Sequence, residues 1–164
     1  MFDRERLLYA DMYGYARQLV ADIPDEELAE QPVPGLNHPA WILGHLVIAA
    51  DYALKRLGAP MTAPEGWAAM FFPGTVPDPN RATYPSKGEL LNAYEAAHAA
   101  LSAAVASADP ARAAQPNTSS SEAMRARFPT LGDLLGYLLT THEAGHLGQL
   151  SAWRRMMGKK GVMG

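Results

Sequence analysis

Cysteine is absent from the chain, which excludes a disulfide framework, a cysteine-based zinc finger, an iron–sulfur centre and a protein thiol as nucleophile. Any metal must then be held by histidine, carboxylate or carbonyl groups. Excess charge is also lacking: 14 Lys and Arg against 17 Asp and Glu leave a formal net charge of −3, which offers no field to gather nucleic acid. No run approaches the roughly 20 apolar residues of a membrane span. The opening MFDRERLL is charged where a signal peptide needs an apolar stretch. The expectation is a cytoplasmic protein with neither nucleic acid nor membrane as partner. Basic residues do gather at Arg154, Arg155, Lys159 and Lys160, read as complementing the dipole at the end of the last helix. Period-two alternation is weak throughout, so strands are not expected.

What is present is helical periodicity. With 48% hydrophobic residues over 164 positions, the chain can fill the core of one domain spanning 1–164 and bury about 70% of its extended-chain surface. A first helix is predicted over 4–20, with Leu8, Met12, Tyr15 and Leu19 as its apolar stripe. A second runs over 38–57, capped by Asn37, with Pro39 in its first turn and Gly58 ending it. The third, 87–107, starts at the capping-box pair Ser86 and Glu89, and the fourth, 131–157, at Thr130 and Asp133. The link 59–85 holds six prolines and the aromatics Trp67, Phe71, Phe72 and Tyr84. A link of that length is either a strap that packs its aromatics on the bundle or a lid. The pattern as a whole predicts an all-α fold, a four-helix bundle with a long crossover connection.

Three of the five histidines carry the chemistry. His142 and His146 stand one helical turn apart on one side of the fourth helix, where both can reach a single ion. Projected at about 100° per residue from Thr130, they fall with Gln149 in the middle of the apolar stripe. His45 sits among Trp41, Ile42, Ile48, Ala49 and Tyr52 on the apolar face of the second helix. Each buried imidazole left without a partner costs about 1–3 kcal/mol, so three on core faces call for a shared explanation, and a divalent ion supplies one. Zinc or nickel suits such a site, with iron or manganese as further candidates. Three histidines leave a coordination position open, at which water or an incoming thiol could be ionised. Release of the ion is expected as pH falls below roughly 6. Gln149, Tyr52 and Asp11 are candidates, by helical phase, to hold the rings from behind or to meet substrate. His38 lies about 10 Å along the axis from His45, too far to share its ion, and either belongs to the start of the helix or faces substrate. His98 is read as a half-exposed histidine. The string His142-Glu143-Ala144-Gly145-His146 also matches H-E-x-x-H. Gln149 and Ala152 stand where its extended form needs glycine and histidine, and no carboxylate follows Glu143. Glu143 is read as a solvated flank, and an HExxH-type hydrolase remains an alternative.

With WILGHL on the second helix, HEAGHLGQL on the fourth and YPSKGELLNAY closing the aromatic link, nearly the whole chain resembles the DinB-like (DinB/YfiT-like) superfamily. That resemblance implies a four-helix bundle with a long crossover, pairing as a homodimer, and a metal ion on His45, His142 and His146. It also implies a thiol-dependent S-transferase or isomerase, with mycothiol, bacillithiol or glutathione as cosubstrate and a small-molecule electrophile as second substrate. A non-catalytic stress protein that binds a metal or small ligand is the alternative from another functional class.

Overall fold

A computed structural model describes residues 1–162. Four long helical rods dominate it: α1, Asp3–Val20; α2, Pro39–Leu57; α4, Lys87–Ala106; and a last rod of α7, Leu131–Tyr137, a π-helical turn, Leu138–His142, and α8, Glu143–Met156. The predicted spans were 4–20, 38–57, 87–107 and 131–157. Short helices interrupt the links: α3, Trp67–Phe71, in the first, then α5, Pro110–Ala113, and α6, Glu122–Arg127, in the second. The fold is all-α, a helical bundle with a long crossover. Among the described residues, no helix is long and apolar enough to cross a membrane.

Helix α2 is the central rod, buried along almost all of its length from Pro39 to Leu54. It packs against α4 on one side and α8 on another. Its cap is His38 rather than Asn37: Trp41 N–H donates to His38 Nδ1 at 3.3 Å, and the other ring nitrogen donates to the Asp78 carbonyl at 3.0 Å. An imidazole acceptor replaces the usual short oxygen side chain here, because the helix starts at Pro39 and so puts His38 at the cap position, while the Asn37 amide donates to Gln149. Gly58 ends the helix at φ 73, a left-handed turn that favours glycine. The boxes Ser86 with Glu89 and Thr130 with Asp133 form reciprocally at the starts of α4 and α7.

The core face of α1 is rotated from its predicted stripe. Tyr9, Ala16, Leu19 and Val20 are buried, while Leu8 is half exposed. His98 is buried too: its ring stacks on Tyr9 at 3.6 Å and its Nε2 donates to the Tyr9 carbonyl at 2.9 Å. Nor is the basic cluster only a dipole complement. Arg154 is buried, donating to the Leu19 carbonyl at 2.6 Å and pairing with Asp22, while Lys159 meets Glu27 at 2.7 Å. These contacts tie the end of α8 to the turn after α1.

The long link runs as a strap along α2. Trp67, Phe71 and Tyr84 are buried on the bundle, while Phe72 stays about half exposed. The Asp51 carboxylate accepts from the Thr62 and Ala63 amides at 2.7 and 2.9 Å. At the other end, Trp41 Nε1–H donates to Thr75 Oγ1 at 2.9 Å.

The π-helical turn sets the direction of everything after it. Thr140 Oγ1 donates to the Gly136 carbonyl at 2.6 Å, occupying the acceptor that the Thr140 amide would use in a regular α-helix. Such a turn carries one extra residue, so the buried face steps by about 100° across it. Before the turn the core residues are Leu131, Leu134 and Leu135, and in its first two positions Leu138 and Leu139; after it they are Glu143, Leu147, Leu150, Trp153 and Arg154.

Candidate metal centre

A neutral imidazole can ligate only through its bare nitrogen, so the partner of the protonated nitrogen decides where each ring can bind. His45 is buried in the middle of α2 with Nδ1 2.8 Å from the Phe71 carbonyl. A carbonyl only accepts, so Nδ1 carries the proton and Nε2 is bare. His146 repeats the arrangement, with Nδ1 donating to Gln149 Oε1 at 3.1 Å. The same oxygen accepts from Asn37 Nδ2 at 3.0 Å, which ties this ring to the chain just before α2.

His142 closes the π-helical turn, and its buried Nδ1 has no hydrogen-bond partner. Its Nε2 lies 3.3 Å from His45 Nε2. The three ring centroids are 4.5, 4.7 and 5.2 Å apart, and one nitrogen from each ring lies within 4.8 Å of the other two. Trp41 stacks on His45 at 4.7 Å and holds that ring from its other face.

Burial keeps all three rings neutral. It lowers the pKa of His142 to about 3, with His146 and His45 adding to the effect. Burial lowers His146 to about 4, and it lowers His45 against the opposing Phe71 hydrogen bond. Neutral imidazole is the form a metal takes. Two ligands at about 2.0–2.1 Å in a tetrahedron stand about 3.4 Å apart, close to the separation already found between His45 and His142. With Nε2 of His45 and His146 left bare, the donor set fits a borderline divalent cation, which the three rings together could hold.

The rings form one wall of a cavity of about 570 Å3, open to solvent on one side. Trp41, Tyr52, Phe72, Met124, Tyr137 and Leu138 supply its large side chains, with Ser120 and Ser121 beside them. No Asp, Glu, Lys or Arg lines it.

The other candidates divide. Gln149 holds His146, as above. Tyr52 lines the cavity, but its hydroxyl donates to Ser119 Oγ at 2.7 Å and touches no histidine of the cluster. Asp11 lies on the exposed side of α1, outside the cavity lining. His38 is a buried helix cap, so the reading of it as part of the helix start holds and a substrate-facing role does not. Glu143 is no solvated flank: it is buried against α4, accepts from the Tyr94 hydroxyl, and has its pKa raised by burial to about 8. It does not line the cavity, so it lacks the position that an H-E-x-x-H base requires. The Phe71 carbonyl and the Asn37 amide were missed. A main-chain oxygen in a proline-rich link leaves no mark in side-chain periodicity, whereas Asn37, lying just before α2, carries only a cap signal in the sequence.

Gln149→Leu keeps the bulk of the side chain but removes the acceptor for His146 Nδ1. The expected result is a metal affinity weakened about tenfold or more, with little change in helix content. Competition titration against a chelator measures the first and circular dichroism the second. An unchanged affinity would mean that His146 is not oriented through Gln149.

A model of the DinB superfamily matches residues 8–150. No curated protein and no solved structure matches the chain.

Proposed function

The chain belongs to the DinB superfamily, and from that membership together with the open side of the histidine cluster we propose a metal-dependent, thiol-using S-transferase or isomerase. In the transferase form, a low-molecular-weight thiol RSH and an electrophile R′X give RSR′, X⁻ and a proton taken up by water: the S–C bond forms and the C–X bond breaks; with an epoxide the ring C–O bond breaks instead and the alkoxide, retained in the product, takes the proton. A divalent ion, zinc or nickel first, would supply thiol ionisation at neutral pH. The observation that carries the reading is the cavity wall. It holds three neutral imidazoles and no carboxylate, ammonium or guanidinium group, and the chain has no cysteine. The wall holds the hydroxyls of Ser120 and Ser121, but neither hydrogen-bonds to a histidine of the cluster, Ser121 Oγ accepting instead from the Met124 amide; with no activated hydroxyl, no thiol and no carboxylate base, the nucleophile has to be brought in.

In this reading His45, His142 and His146 hold the ion. Phe71 and Gln149 keep the tautomers of His45 and His146, and Trp41, Phe72 and Tyr137 give the reacting pair an apolar wall. The same apolar wall favours an electrophile that is uncharged and often aromatic, because an anionic or cationic group there would be desolvated without a partner. Mycothiol, bacillithiol and glutathione are the thiols to test first.

The metal-loaded protein is expected to consume uncharged electrophiles such as epoxides or haloarenes only when a thiol is supplied, at a rate that His45→Ala abolishes. Product formation followed by mass spectrometry across a thiol panel checks it. Turnover no higher than that of His45→Ala with every thiol would sink the proposal, and tight ligand binding without conversion would favour a non-catalytic binding protein instead.

A further inference from the structure

We propose that Gly44 is a positioning residue for the histidine cluster. Its missing side chain lets the Phe71 ring close on α2, and that closure brings the Phe71 carbonyl to His45 Nδ1, turning the bare Nε2 toward the cavity. The inference rests on the metal reading above and adds a residue that touches neither ion nor substrate.

Glycine inside a helix destabilises it by about 1 kcal/mol relative to alanine, so one in the centre of a buried helix calls for a packing reason. At Gly44 the reason is direct. A Cβ built there would lie 2.4 Å from two carbons of the Phe71 ring and 2.5 Å from a third. The ring has no room to retreat. It is fully buried, with Trp67 edge-on at 5.2 Å and Tyr84 stacked at 5.7 Å. A methyl group at position 44 must therefore be met by movement of the strap backbone, and the Phe71 carbonyl moves with it.

The strap is pinned to α2 at three heights. Trp41 holds Thr75, Gly44 admits Phe71, and Asp51 holds Thr62 and Ala63. The middle contact adjoins a ligand. His45 Nδ1–H donates to the Phe71 carbonyl at 2.8 Å, and without that acceptor a neutral imidazole tends to carry its proton on Nε2, the nitrogen that faces His142. Strap docking and ion binding thus favour the same state of His45, and each must strengthen the other by the same factor.

The test uses the full chain and nickel or zinc as probe, with wild type, Gly44→Ala and the double variant Gly44→Ala/Phe71→Leu. Leucine lacks the two ring carbons of closest approach and keeps the main-chain carbonyl. Gly44→Ala is expected to weaken metal binding tenfold to a hundredfold, to move the His45 proton from Nδ1 to Nε2 in nitrogen-15 spectra, and to speed amide exchange over 67–75. The double variant should recover most of the affinity and the Nδ1–H signature. Wild-type affinity and an unmoved proton in Gly44→Ala would overturn the inference, as would a folded double variant that binds as weakly as the single one. Should neither variant fold, wild type decides alone: added metal must slow exchange over 67–75, and unchanged exchange overturns the coupling. Wild type that takes up no metal would instead remove the metal reading, while the position of the His45 proton in the variants would still decide the role of Gly44.

Discussion

His142→Ala is expected to lower affinity for nickel or zinc by more than a hundredfold while leaving the metal-free fold as stable as before. The two halves of this result have separate causes. Loss of affinity follows from removing one of three ligands, an effect larger than the tenfold to hundredfold that second-sphere partners give. Unchanged stability follows from the surroundings of the ring. Its buried Nδ1 has no partner, a defect worth about 1–3 kcal/mol, and the space vacated opens onto a cavity already open to solvent. Against this stands the loss of edge-on packing on Tyr137 at 5.5 Å and on His146 at 4.7 Å. These terms offset to within about 1 kcal/mol, or about 3 °C in melting temperature for a chain of this size. Calorimetric titration and thermal melts in chelator check both halves. A variant that still takes up one equivalent with wild-type affinity would show that His142 is no ligand. A large fall in metal-free stability would show that the ring is a packing element first.

How far the sequence predicts this site depends on what lies between its parts. His45 was legible because α2 is regular from its cap to Gly58, so a projection at a constant angle places the residue correctly among Trp41, Ile42 and Ile48. On the last rod, a constant angle fails at the π-helical turn. It puts His142 and His146 at the centre of the core stripe and Glu143 outside it. With one extra residue inserted, the buried face of α8 centres on Glu143, Leu147, Leu150 and Arg154, and the two histidines lie at its half-buried edge, facing the cavity. Their spacing survived because both lie at or beyond the end of the turn. The one sequence signal for the turn is Thr140, four residues after Gly136, where a hydroxyl can take an unshielded carbonyl. His38, His98 and Glu143 are buried polar groups whose partners come from distant segments. Helical phase reports which way a residue points and says nothing of what waits there.

The same buried groups set an expected pH response that differs from the one read from the sequence. Burial lowers His142 to about 3 and His38, His98 and His146 to about 4, and it lowers His45 as well. In the folded chain His142 and His146 therefore stay neutral well below 6, and bound metal is expected to persist at pH 5, with half-release nearer 4. Dialysis across pH 7 to 4 with elemental analysis measures this, and a midpoint at 6 or above would mean that the rings titrate as though solvated. Metal-free stability follows the same groups with opposite signs. Between about 6.5 and 4 the unfolded chain binds protons on four histidines, His38, His98, His142 and His146, that the folded chain leaves neutral, and His45, also lowered, adds in the same direction, so stability falls as pH drops through that window. Glu143 works the other way. Its folded pKa of about 8 means that the native state keeps a proton the unfolded chain gives up above about 4.5, so stability falls as pH rises toward 8. Below 6.5 the histidines outweigh one glutamate; above about 7 the glutamate dominates. Urea midpoints in chelator should accordingly peak near pH 6.5–7 and decline on both sides. Glu143→Gln should flatten the alkaline limb and leave the acid limb in place. An alkaline limb that persists in Glu143→Gln would assign it to another group and return Glu143 to an ordinary ionised carboxylate.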